Sequence, residues 1–202
     1  MTASDKPRVI GFLGRAGSGK TTAAQYLCDH YGAHRQSFAG PLKKMAMELW
    51  GFSNHQVFGP ACVKEEIDYR CGVSPRQAMQ RLGESVRQQL GEDAWTIALC
   101  KAISVNYQGK NDLIVIDDVR YMNEAALIAT TLQFHGKVIK IVNPNNTSMA
   151  DRQHPSETQV DQVPEKFLTA TIQNSMDDRF MERLDQLVDF LGWAKPPEHG
   201  AL

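Results

Sequence analysis

The run Gly14-Arg15-Ala16-Gly17-Ser18-Gly19-Lys20-Thr21 fits G-x-x-x-x-G-K-[ST], and it lies between an apolar stretch, Val9-Ile10-Gly11-Phe12-Leu13, and a helix-like one, Thr22-Ala23-Ala24-Gln25-Tyr26-Leu27. A buried strand would deliver the chain to a turn in which glycines let successive backbone N–H groups converge on an anion. The helix that follows adds its positive N-terminal end. Gly14, Ala16, Gly17, Ser18, Gly19, Lys20, Thr21 and Thr22 are therefore expected to cradle the phosphates of a nucleotide, ATP in the simplest case. Lys20 would reach the outer phosphates as a point charge and the Thr21 hydroxyl would ligate Mg²⁺. A glycine-rich turn without a ligand leaves the agreement of motif, strand and helix unexplained.

At 202 residues the chain is long enough for one domain spanning residues 1–202, with room for a small inserted subdomain but not for a second large domain. Its 22 Lys+Arg against 23 Asp+Glu, a net charge of −1, supply no basic field of the kind that draws proteins to nucleic-acid polymers. Cys28, Cys62, Cys71 and Cys100 form no C-x-x-C pair and read as reduced thiols. No stretch reaches the roughly 20 apolar residues of a membrane span, and Met1-Thr2-Ala3-Ser4-Asp5 lacks the apolar core of a signal peptide. A cytoplasmic protein with no membrane partner is expected.

Apolar periodicity predicts strands at about residues 8–13, 36–39 (Gln36-Ser37-Phe38-Ala39), 113–116, 138–142 and 167–172. Helices are predicted at about 19–30, from Gly40-Pro41 to near Gly51, from the Ser74 cap to Gly91, and at about 94–105, 123–134 and 177–191. Ser53 to Ser74 reads as short helices and loops. The alternation implies an α/β fold: a parallel sheet of about five strands with helices on both faces and the phosphate loop at the carboxyl end of the first strand. Residues 143–165 are polar and long for a connection, and read as a lid. Lys195 to Gly200 reads as a disordered tail.

Asp117 and Asp118 close the predicted strand Leu113–Ile116, where a phosphate-loop protein puts a carboxylate that serves Mg²⁺ or the substrate, and Arg120 follows. Arg76, Gln80 and Arg87 share a helical face by their spacings of four and seven. That face can clamp an acceptor phosphate or simply be solvated, and spacing does not choose between them. Lys43 and Lys44 face the same two alternatives.

The ordered set of Gly14 to Thr21, Phe38-Ala39-Gly40-Pro41-Leu42-Lys43, Ser74-Pro75-Arg76 with Gln80-Arg81-Leu82-Gly83, Trp95, Asp118-Val119-Arg120 with Asn123-Glu124-Ala125, His154-Pro155-Ser156-Glu157 and Ile172-Gln173-Asn174 resembles bacteriophage-type deoxynucleoside monophosphate kinases over about residues 8–190. The resemblance implies a fold related to adenylate kinase and transfer of phosphate from ATP to a deoxynucleoside 5′-monophosphate. It implies that Lys20, Arg120 and Asp118 act at the transferring phosphate, with Thr21 and Asp118 organising Mg²⁺, and that Asn174 joins the ATP site. Phe38, Lys43, Arg76, Gln80, Arg87, Trp95, Asp118 and Arg152 would address the acceptor, from a region at about 40–95 and from the lid. Core packing accounts equally well for Phe38 and Trp95, and a turn with a helix cap for His154 to Glu157. Some members carry aspartate where this chain has Thr21, so no role of that aspartate carries over. A homodimer is also implied.

Another small-molecule kinase, such as a dephospho-coenzyme A kinase, would need a carboxylate base soon after the second strand, and Phe38-Ala39-Gly40-Pro41 offers none. For an ATP-regulated switch, Asp117-Asp118 lacks the following glutamate that activates water in many ATPases. Asn143-Pro144-Asn145-Asn146 matches a guanine-reading Asn-Lys-x-Asp poorly.

Overall fold

The strands Arg8–Leu13 (β1), His34–Gln36 (β2), Leu113–Val119 (β3), His135–Val142 (β4) and Ala170–Gln173 (β5) form one sheet in the computed structural model, which describes residues 6–107, 111–145, 158–177 and 179–193. Their order is β2-β3-β1-β4-β5, and every pairing is parallel. β1 is central and buried on both faces, which is why it reads as an unbroken apolar run.

One face of the sheet, with Ile10, Phe12, Val115, Ile139, Ile141 and Ile172, packs with Ala23, Ala24 and Leu27 of α1 (Lys20–Tyr31) and with apolar residues of the helix Arg179–Phe190. On the other face the helix Met122–Thr130 comes down at two glycines. A Cβ on Gly11 would lie 2.4 Å from Ile128 Cδ1, and one on Gly136 would lie 1.7 Å from the Ile128 carbonyl oxygen. The second obstacle is backbone and has no rotamer by which to yield. Gly136→Ala is expected to cost about 3 kcal/mol, the upper range for overpacking, read from denaturant unfolding; an unchanged midpoint would mean that the helix does not approach so closely.

The chain divides into two compact units, the sheet unit (up to Ser37 and from Ile103 onward) and a helical unit (Phe38 to Ala102). The helical unit comprises α2 (Gly40–Trp50), α3 (Asn54–Phe58), α4 (Ala61–Glu65), α5 (Pro75–Leu90) and most of α6 (Ala94–Tyr107), and the two helices of the sheet unit named above become α7 (Met122–Thr130) and α8 (Arg179–Phe190). Ala46, Phe52, Val57, Ala78 and Met79 form the core of the helical unit. Ser53 and Ser74 open α3 and α5 with capping boxes completed by Gln56 and Gln77, as their side-chain chemistry favours. Asp68 accepts hydrogen bonds from Gln56 and from the backbone and guanidinium of Arg70. Arg70 also donates to the Gly51 carbonyl, tying the turn after α4 to the end of α2.

Several predicted boundaries change. The second strand is His34–Gln36, and Phe38 and Ala39 are in a turn, where Phe38 is buried. β3 runs through Asp117 and Asp118 to Val119, because both carboxylates find partners beside the strand. α7 stops at Thr130: Thr131 is extended, and Phe134 is buried just before β4, which starts three residues before its predicted beginning. The last strand begins at Ala170, after a short 3-10 turn at Glu165–Phe167. Among the described residues no helix is long and apolar enough to cross a membrane, and all four cysteines are free.

Candidate functional site

The first element of the site is the turn that leaves β1. Gly17 and Gly19 have φ of 71° and 100°, conformations that side chains oppose. Gly14 is held by space instead, since a Cβ there would lie 2.6 Å from both the Ile141 carbonyl oxygen and Ser18 Oγ. Gly19 leads into α1 with no side chain capping the helix, so the polarity of the first turn points into the loop. The Ser18 hydroxyl oxygen is buried and has no hydrogen-bond partner among the described residues. Lys20 is 7% exposed and donates to the carbonyls of Gly14 (2.6 Å) and Arg15 (2.7 Å), which sets an ammonium across the mouth of the loop. An orphaned hydroxyl, a glycine cradle and a buried cation suit a phosphate chain.

The carboxylates of β3 point to opposite sides, as neighbours on a strand must. Asp117 is buried, accepts from Thr21 Oγ1 at 3.0 Å and pairs with the guanidinium of Arg35 in the middle of β2. Asp118 accepts from Ser37 Oγ at 2.7 Å. The carboxylate beside Thr21 is thus Asp117, whereas the sequence reading had paired Thr21 with Asp118. A hydroxyl and a carboxylate are hard oxygen donors suited to Mg²⁺. Among the described residues there is no cluster of three or more His, Cys, Asp or Glu to hold a metal. Arg120 follows β3, and its N–H donates to the buried Glu124 carboxylate at the start of α7.

Two asparagines just beyond neighbouring strands hold the loop from behind. Asn143, after β4, donates to the Gly17 carbonyl at 3.2 Å, and Asn174, after β5, donates to the Ser18 carbonyl at 2.9 Å. Asn174 is buried, and its oxygen accepts the Met176 N–H at 3.0 Å. Both ends of its amide are engaged with backbone, so it braces the loop. Arg15 pairs with Asp161, which also lies 3.8 Å from Lys140. Asp161 belongs to the short 3-10 turn Gln159–Gln162, anchored by the buried Val160 and followed by the buried Val163. Arg152 and His154 to Glu157, expected in the lid, lie outside the described residues, as does the tail from Lys195 to Gly200.

No protein-family model matches the chain. Two solved structures share its fold. The tunicamycin resistance protein of Deinococcus radiodurans aligns over 95% of this chain and 99% of its own, with a TM-score of 0.54 at 14% identity. A "putative kinase" of Chloroflexus aurantiacus aligns over 93% and 97%, with a TM-score of 0.50 at 15% identity. At such identities they show the α/β phosphate-loop fold alone. Sequence goes further: the "Putative deoxynucleotide monophosphate kinase" of Acanthamoeba polyphaga mimivirus is 33% identical over 192 residues, 90% of this chain and 96% of that protein. This chain belongs to the deoxynucleotide monophosphate kinase family.

In this kinase the residues expected to address the acceptor belong, apart from Asp118 and Arg152, to the helical unit. Arg76, Gln80 and Arg87 all lie on α5. Arg76 Nε is 3.4 Å from Glu65 Oε1, Gln80 is exposed, and Arg87 donates to the Glu92 carbonyl. Lys43 Nζ stands 4.7 Å over the ring of Phe58. Phe38 and Trp95 are buried, and the Trp95 indole N–H donates to the Gly83 carbonyl at 3.4 Å. The reading missed Arg35 and Asn143. Only their positions, in one strand and just past another, could have signalled them, and only once the strand order was known.

Proposed function

We propose that this chain transfers the γ-phosphoryl group of ATP to a deoxynucleoside 5′-monophosphate, releasing ADP and the deoxynucleoside diphosphate. The observation that carries the reading is the phosphate loop with Lys20 buried at its mouth and Thr21 bonded to Asp117, in a chain of this family. An oxygen of the acceptor phosphate, whose second pKa is about 6, needs no general base to be nucleophilic at neutral pH. It attacks the γ-phosphorus, and the bond from that phosphorus to the β,γ-bridging oxygen breaks, leaving ADP.

The chain must then align the two nucleotides and balance charge that spreads over the equatorial oxygens. Lys20 adds charged phosphate oxygens to the two carbonyl acceptors that already hold it, a stronger pairing than either. Arg120 offers a second positive charge one residue beyond β3. Thr21 and Asp117 would hold Mg²⁺, which when bound neutralises phosphate oxygens, while Asp118, positioned by Ser37, serves the substrate side. The acceptor region at about 40–95, the lid at about 143–165, a cytoplasmic setting and a homodimer are parts of the same proposal.

A coupled ADP-release assay over the four deoxynucleoside monophosphates, their ribonucleotide counterparts and dephospho-coenzyme A tests it. ADP formed at the same rate with and without every monophosphate would overturn the kinase reading in favour of a plain ATPase. Turnover with dephospho-coenzyme A alone would overturn the choice of acceptor.

A further inference from the structure

Three cations stand on three helices that pack together in the helical unit: Lys43 of α2, Lys64 of α4 and Arg76 of α5. α2 and α4 both pack on α5, and α3 packs on both α2 and α4. The Lys43 ammonium lies over the Phe58 ring at the end of α3. Lys64 is half-buried, and its ammonium is pushed below the usual lysine range, first by burial and then by the charges of Lys43 and Arg76. Arg76 Nε is buried and makes no hydrogen bond among the described residues; the Glu65 carboxylate approaches it at 3.4 Å without the geometry of one.

Gathering like charges on a partly desolvated surface is unfavourable unless an anion answers them. Glu65 answers only part: its side chain is 59% exposed, and it is one carboxylate against three cations, so a phosphate monoester dianion is the better complement once it takes Glu65's place. The Arg76 side chain is 35% exposed, but its Nε is shut away from water and turned toward Glu65.

We infer that Lys64 joins Lys43 and Arg76 in seating the acceptor's 5′-phosphate, and that Glu65 is an internal anion occupying Arg76 until the phosphate displaces it. The inference rests on the nucleotide kinase reading above, and Lys64 and Glu65 are what it adds. The two act in opposite directions: one binds the phosphate, the other competes with it.

The test is steady-state kinetics with the monophosphate and ATP varied independently, for the full chain and for Lys64→Gln, Lys64→Arg and Glu65→Gln, with thermal melting to confirm folding. Lys64→Gln is expected to raise the monophosphate KM about tenfold, the worth of one charge-assisted hydrogen bond, and to leave the ATP KM within about twofold. Lys64→Arg should recover most of the loss. Glu65→Gln should lower the monophosphate KM by about threefold, in line with removal of an exposed ion pair. A folded Lys64→Gln variant whose monophosphate KM matches that of an active wild type would overturn the inference alone. So would a Glu65→Gln variant with a raised KM. A wild type that phosphorylates no monophosphate would overturn the nucleotide reading itself, and this inference with it.

Discussion

Lys20→Ala is expected to lower turnover about 100- to 1,000-fold, the range for removing one preorganised donor from a transition state. ATP affinity should fall far less. The side chain is fixed by two hydrogen bonds to the loop's own carbonyls, so it is already in place before any charge moves. The loop is independently held by Asn143 and Asn174, by glycine φ angles and by the sheet, none of which depends on the ammonium. Binding therefore survives while stabilisation of the moving charge does not. Single-turnover rates beside calorimetric titration of ATP separate the two quantities. A variant that turns over within about twofold of wild type, a negligible change in barrier, would remove Lys20 from the chemistry.

Asp117→Asn should cost turnover about 100-fold and raise the Mg²⁺ concentration needed for half-maximal rate, whereas Asp118→Asn should leave the Mg²⁺ requirement unchanged. The two residues are adjacent in sequence, but the pleat of β3 sends one toward Thr21 and Arg35 and the other toward Ser37. An amide at 117 keeps the volume and one acceptor but removes the negative charge that a divalent cation needs, and leaves Arg35 without its anion. Titrating activity against Mg²⁺ at saturating nucleotides distinguishes the pair. If the Asp118 variant alone changes its Mg²⁺ demand, the metal assignment reverts to Asp118.

That contrast marks where the sequence stopped being informative. β1, α1, α2 and α5 were legible because each has its own local signal: an apolar run, a glycine-rich entry, a proline at the first turn or a serine cap. β2 was not, since it is an edge strand of three residues without a buried side chain and the nearby apolar Phe38 drew the prediction downstream. Two successive aspartates looked like the end of a strand because nothing local announces that Thr21, Arg35 and Ser37, all distant in sequence, will meet them. The loop's place between β1 and α1 was legible, yet its supports were not. Asn143 and Asn174 reach it only because β4 and β5 lie in order on one side of β1, and strand order is a property of the whole chain.

That strand order also sets a schedule. β1 emerges from the ribosome first, but both its neighbours, β3 and β4, lie more than 100 residues further on. At about 5–20 residues per second, the most apolar strand of the protein waits roughly 5–20 s before either flank can be covered. The helical unit, whose core is drawn from residues between Leu42 and Met79, is synthesised within that interval. During synthesis, then, the helical unit is able to mature while the strand that carries the phosphate loop remains a sticky, unpaired ribbon, the point at which a chaperone has most to do.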